Sequence, residues 1–236
     1  MKEIVVLVPA YNEESTIAEV IAEIRSALPQ AEVVVINDGS ADRTGELARK
    51  ARAVTIDLPF NLGIGAAMQT GYRYARAHGH SVAVQVDGDG QHVPAEIPRL
   101  LAPLAEGADL VIGSRFASGR TYRAPLSRRL GMLFFSRAVS LLTGKRFLDT
   151  TSGFRAANRK VIEFYSRHYP SDYPEPEAIL LLSRAGFRVT EVPAVIRERG
   201  GGHSSITLLR GLYYMVKVSL ALFMGRVRRP PRLEEE

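Results

Sequence analysis

The chain has 236 residues, 31 Lys and Arg against 25 Asp and Glu, a net charge of +6 and no cysteine. That length suits one large α/β domain with a sizeable core, and the lack of cysteine excludes a disulfide scaffold and a thiolate metal site. Met1-Lys2-Glu3 runs straight into Ile4–Val8, too short an apolar run for a signal peptide, so a cytoplasmic location is expected. In chain order, Ile4–Val8 predicts a buried strand, Glu14–Leu28 a helix, Val33–Ile36 a strand and Asp42–Ala51 a short helix. Val54–Asp57, Gly65–Ala77 and Val82–Val86 continue as strand, helix and strand. Pro94–Leu104 reads as helical and Leu110–Ile112 as extended. Apolar strands alternating with helices predict a mostly parallel central sheet flanked by helices on both faces.

Beyond residue 115 the pattern loosens. Leu126–Leu142, Asn158–Ser166 and Glu175–Ala185 read as helices, Val189–Glu191 and Ala194–Arg197 as strand-like, and Ile206–Gly225 as a C-terminal amphipathic helix. Arg210 and Lys217 are seven residues apart on one face of that last helix, with Tyr213 and Tyr214 beside them. Such a helix suits either the membrane interface or a place on the protein's own core; the basic tail Arg226-Val-Arg228-Arg229 favours the interface. Charge is uneven: from Arg115 to Leu148 there are eight Lys or Arg and no acid. Phosphorylated substrate, anionic lipid and nucleic acid all suit such a stretch, but a nucleic-acid domain would leave the acidic loops unexplained.

Those acidic loops carry the chemistry. In α/β sheets ligands bind beyond the carboxyl ends of the strands, and polar clusters sit there: Tyr11-Asn12-Glu13, Asn37-Asp38-Gly39-Ser40 and Asp87-Gly-Asp89-Gly-Gln91-His92. Two carboxylates one residue apart after a strand can converge on one hard cation, Mg²⁺ or Mn²⁺, with Gln91 adding an amide oxygen and substrate phosphates the rest. His92, next to a loop, is expected to be a surface residue. Gly63-x-Gly65 ends at Met68 where a third glycine would stand, which argues against a dinucleotide fingerprint.

Val8-Pro9-Ala10-Tyr11-Asn12-Glu13, Asn37–Asp42, Asn61-Leu-Gly63-Ile-Gly65, Asp87–His92, Gly113-Ser114-Arg115 and Thr151-Ser152-Gly153-Phe154-Arg155 stand in an order that resembles the family-2 glycosyltransferases of GT-A fold. Within them the chain is most similar to dolichol- or polyprenyl-phosphate sugar transferases of the dolichol-phosphate mannosyltransferase kind. The resemblance implies a GT-A domain over residues 1–205, with a nucleotide-sugar half (1–115) and an acceptor half (116–205), before the tail 206–236. It implies inverting transfer from a GDP-mannose or UDP-glucose type donor to a polyprenyl or dolichyl phosphate. The alternative is a family-2 enzyme acting on a sugar hydroxyl.

By the same resemblance Pro9, Tyr11, Glu13, Asp38 and Asp87 bind the nucleotide sugar, and Asp87, Asp89 and Gln91 hold the metal. Arg115, Arg128 and Arg129 meet the acceptor phosphate, while Asp89, Arg115 and Arg199 carry the catalysis. Two departures are visible. Ser205 stands where a lysine is common, and Ile64 where relatives often carry one. A lipid phosphate is already ionised near neutral pH and needs no base, so Asp172, Glu175 and Glu177 keep no assigned role. A peripheral position on the cytosolic face of the cell membrane and a membrane protein partner complete the expectation.

Overall fold

The computed structural model describes residues 3–117, 126–171, 174–197, 217–220 and 222–224. The elements in order are β1 (Ile4–Ala10), α1 (Ile17–Ala27), β2 (Glu32–Asn37), α2 (Thr44–Lys50), β3 (Val54–Asp57), α3 (Ile64–Ala77) and β4 (Val82–Gln85). A single 3₁₀ turn at Pro94–Glu96 leads into α4 (Ile97–Ala105) and β5 (Leu110–Ser114). Then come α5 (Leu126–Thr143), β6 (Arg155–Asn158), α6 (Arg159–His168), α7 (Pro174–Arg184) and β7 (Val189–Pro193).

The seven strands form one sheet in the order β3-β2-β1-β4-β6-β5-β7. All neighbouring pairs are parallel except those of β6, which runs antiparallel to both β4 and β5. Both halves read from the sequence contribute strands to it. Alternation along each strand sorts side chains to two buried layers. Val6, Val8, Val33 and Val35 pack against α1, α2 and α4. Val5, Leu7, Val34 and Ile36 face α3, α5, α6 and α7, where Tyr72, Phe135, Phe164, Tyr165 and Ile179 are buried. Connections from β1 run toward β3 on one side while β4 lies on the other, so the sheet has its switch point between β1 and β4. A crevice opens there, outside the carboxyl ends of the strands.

Two expectations change. The stretch from Leu142 to Asn158, to which the sequence assigned no element, contains the strand β6, whose short run Arg155-Ala-Ala-Asn158 carries no apolar periodicity. Ala194–Arg197 forms no ladder; its extended backbone makes a single bridge, Ile196 to His92. The C-terminal stretch is described over 217–220 and 222–224, where it is helical. Val218 and Leu222 are buried in the layer that holds Phe135 and Val139, while Leu220, Phe223 and Met224 are exposed. One face of that helix therefore docks on the protein's own core. Among the described residues no helix is long and apolar enough to cross a membrane.

Candidate active site

A cleft of about 300 Å³ opens at the switch point, lined by Pro9, Tyr11, Glu13, Asp38, Asn61, Gly63, Ile64, Ala67, Asp87 and Asp89, with Ala10 and Gly88. It thus gathers the ends of β1, β2 and β4 with the start of α3. Tyr11 is 47% exposed, so its ring offers a face to a planar ligand. The loop that carries it is tied by hydrogen bonds to the 40–44 segment. Asn12 takes a left-handed conformation (φ 55°), which Asn tolerates; its backbone N–H donates to Ser40 Oγ (3.0 Å) and its Oδ1 accepts from Ala41 N–H (2.9 Å). Glu13 N–H donates to Thr44 Oγ1 at 2.8 Å.

Asp38 is 4% exposed, and both of its oxygens accept backbone N–H groups, from Leu62 (2.8 Å) and Gly63 (2.9 Å). Its carboxylate ties the end of β2 to the turn before α3. Gly63 precedes α3, and Ile64 and Ala67 of its first turn line the cleft. The positive end of a fourteen-residue helix therefore faces the cavity, an arrangement suited to anionic oxygen. It supplies positive character at the 61–64 turn, which carries no cationic side chain.

The Asp87–His92 loop is shaped by its neighbours. Val86 and Gly88 donate their N–H groups to Leu7 O (3.0 Å) and Pro9 O (3.1 Å), extending the β4–β1 pairing, so Asp87 between them projects to the opposite side. There it meets Gly153: a Cβ on that glycine would stand 2.8 Å from Asp87 Oδ2 and 2.9 Å from Gln85 Nε2. Gln85 Nε2 donates to Asp87 Oδ1 (3.0 Å). Gln91 N–H closes a turn onto Asp89 Oδ1 (3.0 Å). Gln91 also pairs with Arg197, accepting its N–H (2.8 Å) and donating Nε2 to its carbonyl (3.3 Å).

His92, expected on the surface, is 5% exposed and stacked on Phe154 with ring centroids 5.0 Å apart. Asp87 N–H donates to its Nδ1 (3.0 Å), which places the neutral ring's proton on Nε2, 3.7 Å from Asp87 Oδ2. It is a scaffold for Asp87.

No group of three or more His, Cys, Asp or Glu side chains assembles among the described residues. The donors expected from the sequence are two carboxylates, Asp87 and Asp89, which both line the cleft, and the Gln91 amide oxygen; Gln91, whose amide nitrogen is committed to Arg197, is not among the cleft-lining residues. All-oxygen donors with few protein ligands match a hard divalent cation completed by phosphate oxygens. The set fits such an ion.

Arg115 follows β5 as expected, but its guanidinium turns inward. Nε and Nη2 donate to Asp149 Oδ2 (2.6 Å) and Oδ1 (2.5 Å), and Nη2 also to Thr151 Oγ1 (2.7 Å). Arg115 is not among the cleft-lining side chains. Arg129 is exposed on α5; Arg128 lies on the same helix where only backbone is described, and Arg199 lies outside the described residues. Sequence reasoning missed Asp149 and Gln85. A lone Gln in the apolar run Val82-Ala-Val-Gln-Val86 was the visible signal for the latter.

Glu175, at the start of α7, is half-buried. Burial raises the pKa of its carboxyl above the ordinary range and nearby Asp87 adds to the rise, while Arg155 opposes both.

Residues 5–165 match the model of glycosyl transferase family 2. The chain is 35% identical over 234 residues to the polyprenol monophosphomannose synthase of Mycolicibacterium smegmatis, covering 95% of this chain and 88% of that one. It is 30% identical to the undecaprenyl-phosphate mannosyltransferase of Micrococcus luteus, covering 86% and 87%. Among solved structures, it is similar to glucosyl-3-phosphoglycerate synthase from Mycobacterium tuberculosis in complex with Mn²⁺, UDP-glucose and phosphoglyceric acid. The TM-score is 0.75 at 24% identity, over 96% of this chain and 80% of that one. This likeness confirms the GT-A architecture.

Proposed function

The chain belongs to glycosyl transferase family 2 and is a glycosyltransferase, and from this premise we propose that it moves a hexose, with inversion, from a nucleotide sugar to a polyprenyl phosphate. Its relatives' names supply the acceptor class. The observation that carries the reading is the convergence of Tyr11, Glu13, Asp87, Asp89 and the start of α3 on one cleft. Tyr11 offers a stacking face for the base, with Pro9 beside it and Glu13 as an acceptor for base or ribose. Asp38 holds the 61–63 turn against the nucleoside, leaving the α3 N-terminus to face the diphosphate. A donor of the GDP-mannose or UDP-glucose type is proposed.

Asp87, Asp89 and Gln91 would hold Mg²⁺ or Mn²⁺, which when bound supplies Lewis-acid stabilisation of charge on the departing diphosphate. A lipid phosphate oxygen attacks the anomeric carbon on the face opposite the leaving group. The bond from that carbon to the β-phosphate oxygen breaks, and its electron pair leaves with the nucleoside diphosphate. An α-linked donor then yields a β-linked lipid-phosphate sugar. No base is required, because the attacking oxygen is already ionised. Arg129 and Arg128, on the acid-free helix α5, are proposed to meet the acceptor phosphate, and Arg199 to close on the diphosphate. Arg115 is proposed to act from beneath, by fixing the end of β5 and the 149–151 turn.

A lipid acceptor calls for a place at the membrane. Leu130, Leu133, Phe134 and Leu141 of α5 are exposed at helical spacing, beside exposed Arg129 and Arg137. An apolar stripe edged by cations suits an anionic lipid surface, so peripheral attachment on the cytosolic face is proposed, with or without a membrane protein partner.

One observation favours the alternative acceptor, a sugar hydroxyl. The raised Glu175 carboxyl near Asp87 has the character of a general base. The deciding experiment follows labelled hexose into a solvent-extractable lipid phosphate and assigns its anomeric linkage by NMR. A β-linked lipid product that forms equally well with Glu175→Gln supports the proposal. Loss of turnover in that variant with a hydroxyl acceptor, and no lipid product from the native chain, would replace it.

A further inference from the structure

Beneath the cleft lies a buried polar pair that the proposed chemistry does not use. Gln85 and Arg155 face one another across the β4–β6 ladder, and they are 2% and 1% exposed. Arg155 is a cation enclosed in the protein. Its Nε donates to Ser152 O (2.8 Å), and its Nη2 to Thr150 O (3.2 Å) and Glu175 O (3.0 Å). Three carbonyls from two segments thus converge on one guanidinium, which fastens the 150–152 turn to the first turn of α7. Its Nη1 finds no hydrogen-bond partner, and neither does Gln85 Oε1. Both groups carry the penalty of burial without full satisfaction, so packing alone does not account for them.

Their geometry converges on Asp87. Gln85 donates its amide N–H to Asp87 Oδ1, and this contact fixes the amide's orientation; the flipped amide would set oxygen against oxygen and repel. On the other side, the 150–152 turn gripped by Arg155 presses Gly153 against both Asp87 oxygens and Gln85, with no room for a Cβ. With His92 holding the Asp87 backbone, the carboxylate is fixed from three directions.

We propose that Gln85 and Arg155 are a positioning pair for Asp87: Gln85 holds its carboxylate directly, and Arg155 holds the turn that confines it, so that Asp87 presents one orientation to the cation and diphosphate. This rests on the proposed metal-dependent donor site and extends it to two residues that touch neither cation nor donor. Partners that orient a metal-binding carboxylate change affinity by about 10–100-fold when removed. The cost appears in cation and donor binding ahead of fold stability.

The test replaces Gln85 by Met, of similar length but with no donor, and Arg155 by Lys, which keeps the charge and loses the fork. Mn²⁺ binding in the presence of GDP or UDP is read by electron paramagnetic resonance and by calorimetry, alongside thermal unfolding. The native chain is expected to bind Mn²⁺ with nucleotide. Gln85→Met is expected to bind it about tenfold or more weakly, with KM for the donor raised more than kcat is lowered and with unfolding still cooperative. Arg155→Lys is expected to weaken binding in the same direction. If the native chain binds Mn²⁺–nucleotide and Gln85→Met binds it equally well, the pair has no positioning role. If the native chain binds neither cation nor nucleotide, it is the donor-site reading that fails, and the pair loses its object with it.

Discussion

Arg115 and Asp149 form a buried two-point ion pair at the end of β5, with Arg115 Nε 2.6 Å from Asp149 Oδ2 and Nη2 2.5 Å from Oδ1. Asp149 is fully buried and also accepts the Arg115 backbone N–H at 2.9 Å. Glu191 of β7 completes the turn by accepting N–H groups from Leu148 and Asp149, each at 2.7 Å. Removing one partner leaves an uncompensated buried charge, which costs about 3–5 kcal/mol, whereas apolar replacement of both is often close to neutral. Arg115→Met and Asp149→Leu alone are each expected to destabilise by about that amount, and the double variant to recover much of it. Chemical denaturation of the three variants measures this.

Asp38 uses both oxygens on the Leu62 and Gly63 amides. Asp38→Asn points an NH₂ group at one of those donors and leaves a backbone N–H unsatisfied, a cost of about 1–3 kcal/mol. Because that turn aims α3 at the cleft, nucleoside diphosphate affinity is expected to fall as well. Calorimetric titration of GDP and UDP checks the second effect separately from the melting temperature.

Glu175 couples stability to pH. Its pKa is raised in the folded chain, chiefly by burial, so the native state holds the proton more tightly than the unfolded chain does. A group of this kind stabilises most below its unfolded value, near 4.5, and that contribution is lost as pH rises through the folded value. Glu175→Gln removes the dependence. Its melting temperature is expected to gain on the native chain as pH rises above about 4.5, the gap growing until the folded-state carboxyl has titrated. A gap that shrinks with rising pH would reverse the sign.

The apolar stripe of α5 offers a fourth point of attack. Leu133→Ser with Phe134→Ser changes only exposed positions and leaves buried Met132 and Phe135 in place. Sedimentation with anionic vesicles is expected to drop severalfold, and high salt to weaken binding of the native chain through Arg129 and Arg137. Turnover of a short, water-soluble acceptor is expected to persist.

The left half of the sheet was legible because its strands are short apolar runs closed by polar turns. Ile4–Val8, Val33–Ile36 and Val54–Asp57 fall inside β1, β2 and β3, and Val82–Val86 overlaps β4 with one residue to spare. That Tyr11, Glu13, Asp38, Asp87 and Asp89 would lie on one cleft was readable for the same reason, since strand ends on one edge of the sheet share it. What stayed hidden depended on pairing across distance. β6 has four residues with no periodicity, and its place between β4 and β5 follows from tertiary packing. The inward turn of Arg115 depends on Asp149, 34 residues on, and an arginine after a strand reads equally well as a phosphate ligand. His92 looked solvated next to its loop, yet the ring of Phe154 and the Asp87 amide enclose it.

The most direct measurement is nucleoside diphosphate release from GDP-mannose and UDP-glucose with Mn²⁺ or Mg²⁺, with and without a short polyprenyl phosphate, in the native chain and in Asp89→Ala. Release that depends on both the lipid phosphate and the cation, and that is lost in Asp89→Ala, is the expected result. Release indifferent to polyprenyl phosphate, or undiminished in Asp89→Ala, would contradict it.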